Sequence, residues 1–312
     1  MMSEQREPAE LGAFPGALAP DREHMVDVGG LRVAVHEWGD AAAPPFFFVH
    51  GGFDFGRTYD VFAPRIAAAG WRVITWDQRG HGDSDHAALY GWDADLRDAM
   101  VVLDSLSGGR PVPVLGHSKG GSLMIQLADA QPYRFTHVVN LDGIPYRRRQ
   151  PDVAEHERAR MVGSEVRGWL DHRRRTASTS RKPGTFEELA QRRARMNPRL
   201  SLDWLRHLVS VGAFESNDGW RWKIDASMRM GGFGPWRPEW TIIKLPGLPM
   251  PFLGVLGGQM EEMGWGTVPK EVFPWLPVGG ECEILDDAGH FVHIEQPDVV
   301  AGMVLDFVGS PS

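Results

Sequence analysis

Val112-Pro113-Val114-Leu115-Gly116-His117-Ser118-Lys119-Gly120-Gly121 joins an apolar run to a glycine-flanked serine, and Ser122 to Ala130, rich in helix formers, follows. Glycine two residues before and two after the serine permits a very sharp strand-to-helix turn. A Cβ at either place would collide with the neighbouring strand or helix. Such a turn lifts the Ser118 hydroxyl clear of a sheet and sets it at a helix N-terminus, where free N–H groups favour developing negative charge. A G-x-S-x-G string alone arises by chance in loops. The strand before it and the helix after it give this one its meaning, and Ser118 reads as a nucleophile.

Outward from this stretch, strands and helices alternate. Strand candidates are 25–28, 31–38, 46–49, 72–76, 112–115 and 137–141, followed after a gap by 252–256 and 281–285. Helix candidates are 58–69, 92–106, 122–130 and 298–308. Phe46-Phe47-Phe48-Val49 is apolar throughout rather than alternating, the pattern of a parallel strand buried on both faces. The spacing predicts an α/β chain with a doubly wound, mostly parallel sheet of about eight strands, opened by an antiparallel hairpin.

Residues 144–245 break the rhythm with charged helical stretches (152–175, 185–196 and 201–211), then a Trp/Gly/Met-rich segment and no apolar strand run. They read as a helical cap inserted over the carboxyl ends of the strands, between core segments 23–143 and 246–312. From Arg147 to Arg199 there are 15 Lys/Arg against seven Asp/Glu, with clusters at 147–149, 173–175 and 192–193. Solvated helix faces paired with Glu155, Glu157, Glu187 and Glu188 explain this excess; attraction of an anionic substrate, a membrane surface or a partner is the alternative.

The 312 residues, 42% hydrophobic, suffice for a substantial core, and a net charge of −8 argues against nucleic acid as a general partner. A single cysteine, Cys282, excludes an internal disulfide, fits a reducing compartment and reads as a core residue. No stretch approaches the ~20 apolar residues of a membrane span. Residues 1–22 are polar, lack the apolar core of a signal peptide and are expected to form a disordered tail on a cytoplasmic protein. The sequence sets no oligomeric state.

A serine hydroxyl needs a base, and the base needs an orienting carboxylate. His290, in Asp286-Asp287-Ala288-Gly289-His290-Phe291 just past a late strand, is the candidate base. His293 is expected to face elsewhere, and His117 to point away from the serine hydroxyl. Two acids qualify between them: Glu261, after the strand 252–256 and placed first, and Asp142, after the strand 137–141 and next to the elbow strand. Asp142 is alternatively a cap on the chain's exit into the insertion. Oxyanion donors are expected from the Lys119 backbone N–H and from His50-Gly51-Gly52-Phe53, with Gly52 nominated and Phe53 the alternative.

Together, His50-Gly51-Gly52, Asp77-Gln78-Arg79-Gly80-His81-Gly82-Asp83-Ser84, Gly116 to Gly121, Gly289-His290 and Glu295-Gln296-Pro297 resemble the α/β-hydrolase superfamily, in its capped serine-hydrolase branch. In that resemblance the acid usually follows the strand at 252–256, where Glu261 stands in place of the usual Asp. A minority of relatives put it 24 residues past the nucleophile, at Asp142. The serine excludes the epoxide hydrolase and haloalkane dehalogenase branches, which use aspartate there. Lys119 departs from the usual small or apolar residue, and a salt bridge to Asp142 or Glu261 is expected for it, with a substrate carboxylate or the oxyanion as the other reading.

The resemblance implies a serine hydrolase with no cofactor and no metal. Its substrate is a small, moderately hydrophobic ester or similar acyl compound, cleaved through an acyl-enzyme, under a cap lined by Trp220, Trp222, Trp236, Trp240, Met228 and Met230. Hydrolysis of a C–C bond or a lactone uses the same residues. A non-catalytic ligand-binding receptor on a hydrolase scaffold is the reading from another class.

Overall fold

The computed structural model describes residues 13–88, 90–145, 155–228 and 239–311. Its strands are β1 (Arg22–Asp27), β2 (Arg32–Trp38), β3 (Pro45–Val49), β4 (Arg72–Trp76), β5 (Val112–His117), β6 (Phe135–Leu141), β7 (Ala213–Ser216), β8 (Gly219–Trp222), β9 (Phe252–Gly257) and β10 (Glu281–Leu285). The longer helices are α1 (Ala63–Ala68), α2 (Trp92–Leu106), α3 (Lys119–Ala130), α4 (Glu155–Thr176), α5 (Phe186–Met196), α6 (Leu202–Gly212) and α7 (Pro297–Val308). The helix expected over 58–69 is a 3-10 turn, Gly56–Tyr59, followed by α1, whose start is set by Pro64.

Eight strands form one sheet in the order β1-β2-β4-β3-β5-β6-β9-β10. The pairs β1/β2 and β2/β4 are antiparallel and the remaining five are parallel. All of β3 is buried, and its side chains divide by parity. Phe46 and Phe48 face α1 and α7 in one cluster with Ile66, Val300 and Val304, while Phe47 and Val49 face α2 and α3 with Val102, Leu103 and Leu123. A strand with apolar neighbours on both sides has no polar face to show, hence the unbroken apolar run. Cys282 is half-buried against the second of these layers, and burial pushes its thiol up to about 12.

The excursion between β6 and β9 carries α4, α5, α6 and, against expectation, a two-stranded antiparallel ribbon, β7–β8. Asn217-Asp218 closes that ribbon, with Gly219 at φ 122°. Its strands are too short and too mixed in polarity for a hydrophobic run to reveal them. A reciprocal pair of bonds between Thr185 and Glu188 caps α5, and Ser201 caps α6. Leu189, Trp204, Leu205 and Leu208 pack on Phe55, Val61 and Phe291, in the loops that leave β3 and β10. The excursion therefore lies on the carboxyl ends of the parallel strands.

The expected disordered tail is corrected for residues 13–22, while residues 1–12 lie outside the described residues. Phe14 meets the Trp204 ring edge-on at 5.2 Å, Leu18 N–H donates to Asp60 O, and the Leu18 carbonyl accepts from Trp38 Nε1. Two aromatic anchors and backbone pairing outweigh the polarity of this segment. Among the described residues no helix is long and apolar enough to cross a membrane.

Asp77, just past β4, is buried and ties β2 to the loops that follow β3 and β4. It accepts from Gly56 N–H at 2.6 Å and Asp83 N–H at 2.8 Å, and stands 3.3 Å from His36 on β2. Burial alone would lower the His36 pKa, but Asp77 and Glu23 outweigh it and hold it at about 9. Burial would raise Asp77, yet His36 holds it at about 2. His36→Gln, which leaves a buried carboxylate unpaired, is expected to cost about 3–5 kcal/mol. That loss should be full between the ordinary values of 3.8 and 6.5, where both charges exist. It should shrink as pH rises through about 9 or falls through about 2. Urea denaturation of both proteins across pH checks this; a pH-independent difference would contradict it.

Candidate active site

The turn from β5 into α3 is made by Ser118 alone, at φ 52° and ψ −120°. Its tightness follows from two contacts. A Cβ on Gly116 would lie 2.5 Å from the Gly120 backbone, and one on Gly120 would lie 2.2 Å from Val49 O. Among the described residues, the non-glycine residues with positive φ are Phe53, Ser118 and Asp142, at 58°, 52° and 45°. Each such residue stores about 1–3 kcal/mol, and all three belong to this one site.

Ser118 Oγ lies 3.0 Å from His290 Nε2, and His290 Nδ1 lies 2.6 Å from Asp142 Oδ2. The expectation that Glu261 stands at the imidazole is corrected. Asp142 directly follows β6, the strand beside the elbow strand, and its N–H bonds Val255 O while Oδ1 accepts from Gly257 N–H. Glu261 sits one loop further out, and its Oε2 accepts from the backbone N–H of His290 at 2.6 Å. Burial pushes the Glu261 carboxyl up, against the pull of that N–H. On the other side of the same residue, His117 Nε2 donates to His290 O at 2.9 Å. Burial holds His117 well below the ordinary histidine range, so it is a neutral donor, turned away from the serine as expected. His290 is thus gripped at its N–H, its C=O and its ring. His293 is buried against Tyr59, Phe62 and His117, and burial lowers it to about 3.

Residues 50–53 run beside the serine: a Cβ on Gly51 would lie 3.2 Å from Ser118 Cβ. Lys119 N–H, in the first turn of α3, has no carbonyl within the helix to receive it. Phe53 N–H instead donates to His81 Nε2 at 3.3 Å. His50 Nε2 accepts from Gln78 N–H at 2.9 Å, and burial lowers His50 to about 4. From the excursion, Arg193 donates to Phe53 O at 2.9 Å and Arg199 donates to Glu295 Oε2 at 2.7 Å. Glu295 Oε1 in turn accepts from Gly289 N–H at 3.0 Å. Among the described residues no group of three His, Cys, Asp or Glu side chains is arranged to hold a metal ion.

Residues 42–232, more than half of the chain, match the family described as serine aminopeptidase, S33. The chain belongs to this α/β-hydrolase family. Over 108 residues it is 34% identical to the sn-1-specific diacylglycerol lipase ABHD11 of Mus musculus, covering 34% of this chain and 35% of the lipase. The monoglyceride lipase of Homo sapiens is 29% identical over 126 residues, 38% of this chain and 42% of that one. The chain therefore spans less than half the length of these curated relatives. A solved thioesterase domain from the curacin biosynthetic pathway superposes with a TM-score of 0.75 at 21% identity, over 91% of this chain and 99% of that one, a likeness of fold.

In this family member the cation after the serine has a partner that sequence reasoning missed. Lys119 is buried, and its Nζ lies 2.8 Å from Asp95 Oδ2 on α2 and 2.8 Å from Gln78 Oε1, not on Asp142 or Glu261. Beside it Arg79 makes a two-pronged pair with Asp98, one turn along α2. The signal was present in two forms. Asp95 and Asp98 interrupt an otherwise amphipathic helix, and the polar run 77–84 follows directly on a buried apolar strand. Burial raises the Asp95 pKa in spite of Lys119, and breaking a buried pair is costly because it leaves one charge uncompensated. Asp95→Asn and Lys119→Met are each expected to lose about 3–5 kcal/mol in urea unfolding. The double variant Asp95→Leu/Lys119→Met should lose less than either. Additive losses would overturn the pairing.

Of the residues expected to line a cap pocket, Trp236 and Met230 lie outside the described residues, as does the Trp240 side chain. Trp220 packs edge-on against Phe186 at 5.3 Å, Trp222 tilts against Phe55, and Met228 clusters with Tyr90 and Ile224. Arg192 pairs with Glu188 and Arg174 with Asp171, as local pairing predicts, while the cluster at 147–149 lies outside the described residues.

Proposed function

We propose that this chain is a serine hydrolase that cleaves a carboxylic ester or related acyl bond of a small, moderately hydrophobic substrate, with the 144–245 excursion as its cap. One observation carries the reading: the hydroxyl, imidazole and carboxylate of Ser118, His290 and Asp142 lie in an unbroken chain of hydrogen bonds. Ser118 Oγ attacks the carbonyl carbon as His290 Nε2 takes its proton. Asp142 keeps the Nδ1 proton in place and stabilises the imidazolium. The Lys119 and Gly52 N–H groups receive the oxyanion, each worth roughly 3–4 kcal/mol of barrier. His290 then protonates the leaving group, and water attacks the acyl-enzyme by the reverse relay. The names of the lipases among the relatives and of the thioesterase among the structures support acyl transfer as the reaction class. The lone Cys282 fits a reducing, cytoplasmic setting.

Glu261 enters as a positioning residue: a carboxylate on the His290 N–H that never meets the imidazole. Asp142→Asn is expected to lower kcat on p-nitrophenyl butyrate by about 10⁴-fold. Glu261→Gln keeps an acceptor for the His290 N–H and should cost less than about tenfold. The reverse order would make Glu261 the orienting acid. Labelling by a fluorophosphonate probe should occur in the wild type and vanish in Ser118→Ala. An unlabelled wild type with no ester turnover would leave a ligand-binding receptor as the better reading.

A further inference from the structure

Almost every arginine and lysine that this protein takes out of water is paired. Among the residues whose side chains are described, each half-buried or buried Lys or Arg has a carboxylate within 4.0 Å, with two exceptions, Arg173 and Arg181. Both come from the excursion, at the end of α4 and just beyond it, and both reach the same place. Arg181 stacks on the Phe53 ring, its Cζ 5.5 Å from the centroid, and Arg173 stacks on Tyr90 at 5.7 Å.

Their hydrogen-bond partners among the described residues are carbonyls and one hydroxyl. Arg181 Nη2 donates to Asp225 O at 2.7 Å and Met228 O at 3.2 Å, and its Nε donates to Ile224 O at 3.2 Å. Arg173 Nη1 donates to Ser227 Oγ at 2.6 Å and Ala87 O at 3.5 Å. Among the described residues Asp225 is the one acidic side chain in this group, and its carboxylate is occupied. Tyr90 Oη donates to Oδ2, Ser227 N–H donates to Oδ1, and His86 Nδ1 lies 3.7 Å away. Two guanidinium charges thus face one engaged carboxylate. Burial lowers the Arg181 pKa, as a desolvated cation without a salt bridge requires. Ring faces and carbonyl dipoles hold these cations in place without neutralising them.

We propose that Arg173 and Arg181 form an anion subsite beside Phe53, and that the acyl substrate carries a carboxylate at the end away from the scissile bond. The assignment of a reacting end rests on the hydrolase reading above. Phe53 continues the loop whose Gly51 lies against Ser118. Two residues of backbone span at most about 7 Å, and Arg181 Cζ lies 5.5 Å from the Phe53 ring centroid, which bounds the subsite to within roughly 20 Å of the serine hydroxyl. A half-ester of a dicarboxylic acid joins a scissile ester to an anion within that bound. The planar guanidinium, with donors left over on both arginines, suits a bidentate carboxylate.

The test compares p-nitrophenyl hydrogen adipate with its uncharged counterpart, p-nitrophenyl methyl adipate. The wild type should prefer the charged half-ester by tenfold or more in kcat/KM, with a preference that falls as salt rises. Arg181→Met and Arg173→Met should bring the ratio toward one, and Arg181→Lys should retain part of it. A ratio near one in the wild type, or a preference that survives both methionine variants, would overturn the proposal. Calorimetry with adipate on Ser118→Ala protein reads the subsite without turnover: binding that disappears in Ser118→Ala/Arg181→Met supports it, and no binding overturns it. If no ester is hydrolysed and Ser118 takes no fluorophosphonate, the hydrolase reading fails while the calorimetric arm still decides the subsite.

Discussion

Everything at this site hangs on how little room separates β5 from α3. Helix and strand approach so closely at Gly116 and Gly120 that no side chain fits between them, and the reversal must be completed within one residue. Ser118 takes the strain, at a backbone conformation that side chains rarely adopt. The packing that enforces it is large and apolar on both faces of the sheet, so the local cost is small beside what surrounds it. Two further strained residues, Phe53 and Asp142, flank the serine on the neighbouring loops. Three loop ends leaving adjacent parallel strands are thereby held in conformations that an unsupported chain would relax.

The histidine is the member of the group that comes from farthest away, and it is the most heavily supported. Its ring meets Asp142, its N–H meets Glu261 and its C=O meets His117. Burial keeps the supporting His117 neutral. Moving the ring's carboxylate to the end of β6 frees the loop after β9 for a different task, in which Glu261 steadies the backbone. Two carboxylates close to one histidine therefore do not compete: one takes the side chain and the other the main chain.

Most of the framework was legible because burial on both faces leaves long apolar runs. The inner parallel strands carry such runs and β1 and β2 form the opening hairpin, while the edge strand β10, Glu281–Leu285, is mostly exposed and mixed in polarity. The glycines at 116 and 120 announced the turn for a similarly direct reason, since only their size fits. What stayed hidden depended on contacts between distant segments. Glu261 and Asp142 follow adjacent strands, so chain order alone does not say which one reaches the imidazole. Asp95 breaks the amphipathic pattern of its helix, but nothing in the spacing names Lys119 as the partner it is buried against. The ribbon β7–β8 escaped notice because four-residue strands with mixed polarity give no periodicity. Basic residues of the excursion counted alike in the sequence; among the described ones, burial together with pairing distance sets Arg173 and Arg181 apart.

Arg193 and Arg199 stand six residues apart, at the end of α5 and in the turn that follows. One reaches the carbonyl of Phe53 and the other the Glu295 that secures Gly289. A single short segment therefore clasps the loops on opposite sides of the serine, like a buckle joining two straps. Displacing that segment would release both at once. The loops beside the serine are mechanically joined through this segment, and a core pared down to its sheet would keep Ser118, His290 and Asp142 yet lose both ties.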